Sequence, residues 1–210
     1  MGFRFSESCA IIATSILLNK MPQGTKTQMA TVPKTEEFLD PPKIFKRVGV
    51  EQGFACADFG SGSGYICLPL AKYVTGRGKV FAVDVVKDSL EMVHEKALQQ
   101  GSQNVRTVWA DLEVVGGTKI TSGSLDMVFL KTVFFQLEKP IDALKEVARV
   151  LKKGGKLVVI DWKKGVGPVG PPDELRKDEE EVLADAKTAG FSPVESFPVD
   201  KYHFGYILQK

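Results

Sequence analysis

The sequence predicts a doubly wound α/β domain with a mostly parallel sheet. Short apolar runs such as 80–83 and 157–160 alternate along the chain with stretches of helical periodicity, and continuous apolar runs are typical of strands that are covered on both faces. The last two predicted strands are joined by only a few residues, so we expect them to pair antiparallel at one edge. A chain of 210 residues is long enough for one such domain and too short for two.

Helices and strands alternate from Thr35 onward. The first helix is predicted to begin near Pro41, because proline suits the first helical turn. The following elements are then predicted: strand 54–59, helix 65–74, strand 79–85, helix 87–100, strands 104–110 and 125–130, helix 141–151, strand 156–161, a helix within 172–189, and strands 191–199 and 202–208. Gly101, Gly154-Gly155 and Gly190 are expected to end helices.

The composition is that of an ordinary globular protein, with a net charge of +2 that gives no reason to expect a nucleic-acid partner. Its three cysteines, Cys9, Cys56 and Cys67, have no CxxC spacing, which argues against a disulfide framework or structural zinc. Cys56 and Cys67 are expected in the core. Two histidines, His94 and His203, cannot form a metal site alone. We therefore expect no metal, a cytoplasmic location, and a monomer or homodimer.

Residues 1–34 are predicted to be an N-terminal extension or linker, followed by one domain over 35–210. The apolar run 9–18 is too short to span a bilayer, so no stable membrane insertion is expected. An incomplete charged region and the lack of a clear cleavage site disfavour a secretory signal. Three explanations of this apolar run remain open: a peripheral helix, a weak anchor, or a sequence that starts upstream of the true initiator at Met21 or Met29. We favour the first or the third.

A glycine-rich loop is predicted between the first strand and the next helix, in the segment DFGSGSG from Asp58 to Gly64. Glycines at positions 60, 62 and 64 allow positive φ and close backbone approach, and the helix N-terminus suits an anionic group. Several nucleotide-binding folds use such a loop. The alternative is a plain tight turn.

Acidic residues follow three successive predicted strands. Asp84 ends the second strand, where a carboxylate can accept both hydroxyls of a ribose; the alternative for it is a helix cap. Asp111 follows the third strand, where it could accept the exocyclic amine of adenine while Ala110 and Leu112 pack on the ring. Asp58 would favour a cationic ammonium over a pyrophosphate. Together they favour an amino-acid-bearing nucleoside over a dinucleotide.

Five segments in order, DFGSGSG, VFAVDV, WADLE, SLDMVFL and RVLKKGGKLVVIDW, resemble the motifs of class I S-adenosylmethionine-dependent methyltransferases. The resemblance covers about residues 34–210 and is greatest to the small-molecule group that includes the ubiquinone/menaquinone C-methyltransferases and arsenite methyltransferases. It implies a Rossmann-like seven-strand sheet of order 3-2-1-4-5-7-6 with strand 7 antiparallel, and S-adenosyl-L-methionine as the cofactor. The cysteine set of the arsenite enzymes and the insertions of the quinone enzymes have no counterpart here, which disfavours arsenite and weakens the case for a quinone.

The resemblance also implies roles for particular residues. Contacts to the methionine moiety fall on Asp58, Gly60, Ser61 and Gly62 in the loop, which Gly64 completes. The resemblance implies that Asp84 binds the ribose. The residues implied to contact the adenine are Val85, Ala110, Asp111 and Leu112. The positions beside the sulfonium and the acceptor are Leu130, Lys131 and Thr132.

The chemistry implied is direct in-line methyl transfer to a small-molecule acceptor. Proximity and orientation can contribute on the order of 7–11 kcal/mol. A base helps where the acceptor is a hydroxyl or an amine, and the candidates by position are Asp161 and His203. The alternatives are a loop cap for Asp161 and a partly exposed strand residue for His203. Lys131 and Trp162 could line the acceptor site.

Three other functions are left open by the sequence. A nicotinamide oxidoreductase of the short-chain type needs a Tyr-x-x-x-Lys pair on a helix, and the one such spacing, Tyr206 to Lys210, falls on a predicted strand. A cofactor-binding module without catalytic activity is the second, because a fold does not guarantee chemistry. A methyltransferase of a protein side chain is the third.

Overall fold

The computed structural model describes residues 39–210, which fold around one seven-stranded sheet. Its strands are β1 Ala55–Phe59, β2 Lys79–Asp84, β3 Val105–Trp109, β4 Leu125–Lys131, β5 Leu151–Trp162, β6 Ser192–Pro198 and β7 His203–Gln209. Its α-helices are α1 Pro41–Val48, α2 Cys67–Val74, α3 Lys87–Gln99, α4 Pro140–Val150 and α5 Glu179–Thr188. None of these helices is long and apolar enough to cross a bilayer. The predictions for 1–34 and Cys9 lie outside the described residues.

The strand order is β3-β2-β1-β4-β5-β7-β6. Strand β1 pairs in parallel with β2 and β4, and β4 pairs in parallel with β5. Strand β7 is antiparallel to both of its neighbours, β5 and β6. The predicted fold class, the order and the antiparallel closing strand are therefore confirmed.

Helices cover both faces of the sheet, which explains why its central strands are apolar throughout. Helices α1, α2 and α3 pack on one face, and α4 and α5 pack on the other, so the sheet separates two clusters of buried side chains. Cys56 and Cys67 lie in the first cluster. Burial raises the pKa of both thiols, so they behave as small core residues, as the sequence predicts.

Most predicted elements are present within a few residues, and α1 shows why. Asp40 is its N-cap and accepts a hydrogen bond from the amide of Lys43, prolines occupy the first two helical positions, and Gly49 ends the helix with φ of 77°. The prediction that Gly154-Gly155 ends α4 is wrong. Helix α4 ends at Val150 and β5 begins at Leu151, and the glycines lie in an irregularity where the β4–β5 register shifts.

The helix predicted within 172–189 is shorter than expected. A 3₁₀ turn occupies Asp173–Leu175, and α5 begins only at Glu179, where Asp178 and Glu181 form a capping box. The segment before it is held in an irregular path by Arg176, whose guanidinium donates to the carbonyls of Pro171, Lys163, Gly167 and Val169. A buried guanidinium with these partners outweighs the local helical preference.

A buried carboxylate fixes the long loop between β3 and β4. Glu146 of α4 accepts hydrogen bonds from the amide of Gly116 and the hydroxyl of Thr118, and pairs with Arg149 at 2.7 Å. Burial alone would raise the pKa of Glu146, but hydrogen bonds from Arg149, Thr118 and Gly116 lower it to about 2. The loop that follows Asp111 is therefore tied to α4.

We predict that Arg149→Met lowers the free energy of unfolding by about 3 kcal/mol, because it leaves the charge of Glu146 buried without its partner. Chemical denaturation measures this. The control is Lys145→Met in the same helix, which removes only an exposed pair with Asp142 and should cost no more than about 0.5 kcal/mol. Equal losses in the two variants would contradict the anchoring role of Glu146.

Candidate active site

Charged side chains meet where the parallel strands end. Asp58 and Asp84 lie at or near the carboxyl ends of β1 and β2, and Lys131 and Asp161 lie at those of β4 and β5. The antiparallel β7 begins at this same edge, because His203 pairs with Trp162. In open α/β sheets, ligands bind outside the carboxyl ends of the strands, so the predicted site residues are brought to one edge.

The glycine loop turns sharply from β1 into α2. The amides of Gly60 and Ser61 both donate to the carbonyl of Val83, at 2.8 and 3.0 Å. Gly60 has φ of 80°, and a Cβ there would lie 2.6 Å from Val133; Gly64 has φ of 90°, and a Cβ would lie 2.7 Å from Leu68. Glycine is therefore required at both positions.

Gly62 and Ser61 form the open part of this loop. A Cβ added at Gly62 would meet nothing within 4 Å, so another group can approach the backbone here. The hydroxyl of Ser61 is buried and has no hydrogen-bond partner among the described residues. Since a buried polar atom is normally paired, this hydroxyl points to a ligand contact at the loop.

Asp84 joins the end of β2 to the glycine loop. Its two carboxylate oxygens accept hydrogen bonds from the amides of Gly62 and Val86, at 2.8 and 2.9 Å. A carboxylate oxygen has more than one acceptor position. Asp84 can therefore hold the loop and still accept hydroxyl groups from a ligand. The helix-cap alternative is wrong, because the N-cap of α3 is Val86 and no side chain caps that helix.

Asp58 lies beneath the loop and is almost fully buried. Its carboxylate accepts a hydrogen bond from the amide of Cys67, the first residue of α2, at 2.9 Å. Burial raises the pKa of Asp58 to about 7, against the opposing effects of that hydrogen bond and of the charge of Lys131. This carboxyl is thus poised to ionise when a cation comes near.

The residues predicted to frame adenine lie past the ends of β2 and β3. Val85 is 43% exposed, and Asp111 is half-buried with one oxygen accepting from the amide of Glu113 at 2.9 Å. The side chains of Ala110 and Leu112 belong mainly to the core cluster under α4. Leu130 is fully buried there, so only its backbone can reach the edge.

Lys131 occupies the middle of the edge. Its ammonium lies 5.1 Å from the ring of Tyr65, whose hydroxyl donates to the carbonyl of Leu39. Burial lowers the pKa of Lys131, and the carboxylates of Asp58, Asp161 and Asp200 oppose that effect. The next residue, Thr132, has a left-handed φ of 54°, a strained conformation that clusters at functional sites.

Asp161 is almost fully buried, and among the described residues it accepts hydrogen bonds only from backbone amides. Val133 and Phe134 donate to one of its oxygens at 3.1 and 3.0 Å, and Trp162 donates to the other at 2.8 Å. Burial raises the pKa of Asp161 to about 6. These contacts fit the loop-cap alternative, because the carboxylate fixes the turn that follows β4.

His203 is buried, which contradicts the partly exposed alternative. Its Nδ1 lies 2.8 and 2.9 Å from the two carboxylate oxygens of Asp200, and its ring centroid lies 4.1 Å from that of Trp162. Its Nε2 is buried and has no partner among residues 39–210. Burial lowers the pKa of His203, Asp200 acts to raise it, and Lys131 and Lys163 act to lower it further.

Four residues near the site were missed by sequence reasoning. Asp200 stands three positions before His203, and this spacing could have identified it. Arg176 is 2% exposed and lies 5.7 Å above the ring of Trp162, so it holds the Gly-Pro-rich loop against that side chain. A Cβ at Gly170 would lie 2.8 Å from the same ring. Nothing in the sequence pattern marks Arg176, Gly170 or Tyr65 for these positions.

Comparison with known proteins identifies a matching family and similar proteins of known structure or activity. Residues 57–159 match the family described as "Methyltransferase domain". A crystal structure of an S-adenosylmethionine-dependent methyltransferase from Aquifex aeolicus is 31% identical, with a TM-score of 0.78 over 85% of this chain and 93% of that one. The ubiquinone/menaquinone biosynthesis C-methyltransferase UbiE of Azotobacter vinelandii is 29% identical over 55% of this chain and 45% of its own. An arsenite methyltransferase of Aquipseudomonas alcaligenes is 30% identical over 60% and 37%.

The fold is a doubly wound α/β domain whose predicted site residues share the carboxyl edge of the sheet. The chain belongs to the class I S-adenosylmethionine-dependent methyltransferases. The cofactor of this family is S-adenosyl-L-methionine. The chain spans about half the length of the curated relatives it matches.

We predict that Asp161→Ala lowers the free energy of unfolding by about 3 kcal/mol, because three buried amides lose their acceptor. Thermal or chemical denaturation measures this, with Glu51→Ala at an exposed turn as a control that should change stability by no more than about 0.5 kcal/mol. A stable Asp161→Ala protein would show that this carboxylate is free for another task.

Proposed function

We propose that this protein transfers the methyl group of S-adenosyl-L-methionine directly to a small-molecule acceptor in the cytoplasm. The observation that carries the proposal is the bridge from the Asp84 carboxylate to the amide of Gly62. This bridge supports the proposal because its carboxylate, which can accept ribose hydroxyls, lies beside an open glycine backbone at the switch point of the sheet. The unpaired hydroxyl of Ser61 beside it supports a ligand at this loop.

The cofactor residues carry separate tasks in this proposal. The methionine moiety lies against the loop, with contacts from Asp58, Gly60, Ser61, Gly62 and Gly64. Asp84 accepts the ribose hydroxyls, and Val85, Ala110, Asp111 and Leu112 frame the adenine. Leu130, through its backbone, and Lys131 face the acceptor.

The bound cofactor supplies a methyl group already activated on a sulfonium, so the protein needs no nucleophile of its own. The task of its residues is to align the acceptor, to exclude water and to hold any proton that is released. Of the two candidate bases, His203 has an unpaired Nε2, whereas the Asp161 oxygens already accept from three amides. We therefore assign the base to His203 and the support of the β4 turn to Asp161.

A small molecule is favoured as the acceptor because two of the similar proteins are named for ubiquinone/menaquinone biosynthesis and for arsenite methylation. Arsenite itself is disfavoured here. The two cysteines of the described chain, Cys56 and Cys67, are both buried in the core. A side chain of another protein is the alternative acceptor.

We predict micromolar binding of S-adenosyl-L-methionine and no binding of NAD(P), measured by isothermal titration calorimetry. Asp84→Asn should lower the affinity for the cofactor by about ten- to hundredfold, because a charge-assisted hydrogen bond contributes about 1.5–3 kcal/mol. Asp88→Asn, at an exposed position in the first turn of α3, is the matched control and should bind as the parent does. Unchanged affinity in a folded Asp84→Asn protein would refute the ribose role.

Activity is tested with methyl-labelled cofactor and a metabolite extract, followed by mass identification of the labelled product. Transfer to a compound of low molecular mass supports the proposal. Label found only on protein would favour the alternative acceptor. Cofactor binding with persistent absence of transfer would favour a binding module without catalysis.

From the raised pKa of Asp58 we predict that cofactor binding depends on pH. Its pKa is raised to about 7 in the free protein, and a cationic ammonium binds the ionised carboxylate better, so affinity should rise as pH rises. Between pH 5.5 and pH 7 we expect about a tenfold gain, a window in which the ammonium of the cofactor stays protonated. Calorimetry of Asp58→Asn should show a flat profile; a flat profile in the parent protein would contradict the ammonium role.

A further inference from the structure

Asp200 collects four hydrogen bonds in the turn between β6 and β7. The amides of Tyr202 and His203 donate to one carboxylate oxygen at 2.8 Å, and the amide of Leu39 donates to the other at 3.0 Å. The ring of His203 contacts both oxygens through Nδ1. The side chain of Asp200 is 5% exposed, so its orientation is fixed by buried contacts on all sides.

This arrangement determines the tautomer of the imidazole. An ionised carboxylate only accepts hydrogen bonds, so Nδ1 of His203 must carry the proton. The lone pair of the neutral ring is then on Nε2, the nitrogen that has no partner in the described part of the chain. The geometry therefore presents a buried, unpaired proton acceptor at the carboxyl edge of the sheet.

The groups around His203 keep the ring neutral. Asp200 faces it from its own turn, Lys131 faces it from β4, and Lys163 acts on it from just after β5. Trp162 of β5 stacks against it, and Arg176 lies against Trp162. Burial and the two lysines lower the pKa of His203 and outweigh the effect of Asp200, so the free base is the form present near neutral pH.

We propose that Asp200 is a positioning residue that holds Nε2 of His203 toward the acceptor, and that the acceptor is a weakly acidic hydroxyl compound of the phenol class. This inference rests on the proposed methyl transfer. The hydroxyl proton passes to Nε2 while the oxygen forms its bond to the methyl carbon. The carbon–sulfur bond breaks and its electron pair stays on sulfur. The products are a methyl ether and S-adenosylhomocysteine, and the imidazolium returns its proton to solvent.

The charge of Lys131 favours a hydroxyl over an amine. An oxygen that loses its proton becomes negative, and a nearby ammonium stabilises that charge. An amine that gains a methyl group becomes positive before it loses a proton, and the same ammonium opposes that charge. Lys131 and Nε2 of His203 are thus matched to an acceptor that ionises to an anion.

The tautomer can be measured without any acceptor. The chain has two histidines, and His94 is exposed, so ¹⁵N-histidine labelling with a His94→Gln variant assigns the His203 signals. We expect the neutral Nδ1–H form at pH 7. Asp200→Asn should shift the ring toward the Nε2–H form. A parent protein with Nε2–H or an imidazolium at pH 7 would overturn the inference, even if cofactor binding is intact.

The kinetic test uses labelled cofactor with a panel of phenols and catechols and a matched panel of aromatic amines. Transfer to the hydroxyl compounds is expected, and Asp200→Asn should lower kcat on the order of a hundredfold or more with cofactor affinity within about twofold. With saturating cofactor, the pH profile of kcat/KM for the acceptor should lose its acid-side limb in His203→Gln. The control is Asp126→Asn, because Asp126 also accepts a backbone amide, that of Ala55, but at the far edge of the sheet.

The outcomes separate this inference from the proposed function. Three results would overturn the inference: transfer to amines alone, no transfer to either panel, or equal kcat in the parent and Asp200→Asn proteins. Each of them is compatible with cofactor binding and with transfer to another acceptor. Loss of cofactor binding in the parent would instead remove the proposed function. If Asp200→Asn does not fold, the tautomer of the parent and the His203→Gln profile decide the question.

Discussion

The parallel pairing of β1 with both β2 and β4 is the constraint on which this site depends. The chain leaves β1 toward β2 on one side and reaches β4 only after β3, so the strand order reverses beside β1. A crevice opens at such a switch point. The loop after β1 must then turn tightly enough to bring α2 back over the sheet. The left-handed glycines and the shared carbonyl of Val83 satisfy that requirement.

Features that depend on local pattern could be predicted from the sequence. Apolar runs identified the strands, and the short closing connection identified the antiparallel β7, because both follow from burial and chain length. The acidic residues at strand ends were located for the same reason: once the strands are known, their carboxyl ends share an edge. The confirmed strand order itself came from the resemblance of five motifs and not from periodicity.

The parts that could not be predicted depend on contacts between segments distant in the sequence. Gly154-Gly155 resemble a helix C-terminus, yet they lie within β5, where its register against β4 shifts. The 172–178 segment has helical character, yet Arg176 binds carbonyls of the preceding loop instead. The role of Asp161 as a support for the amides of Val133 and Phe134 required the relative placement of β4 and β5. Local propensity is overridden in each case by a partner that periodicity does not reveal.

Buried polar groups in this protein are of two kinds, those with all partners satisfied and those without, and the second kind indicates where its chemistry takes place. Glu146 is completely buried, yet its carboxylate is satisfied by a guanidinium, a hydroxyl and an amide, as expected of a group that serves stability. At the carboxyl edge of the sheet, buried polar groups are less completely satisfied. The pKa values of Asp58 and Asp161 are raised by burial and that of Lys131 is lowered. Ser61 and His203 each have a buried atom without a partner within residues 39–210.

An unpaired buried polar atom costs about 1–3 kcal/mol, a large part of the stability of a small domain. Ser61 lies in the glycine loop after β1, and His203 begins β7 opposite Trp162, so both costs fall at the carboxyl edge of the sheet. A structural role accounts for neither, since a smaller apolar side chain would avoid both. In the proposed function, the cofactor contacts the hydroxyl of Ser61 and the acceptor donates to Nε2 of His203, so the stability that the two unpaired atoms cost is recovered when these ligands bind.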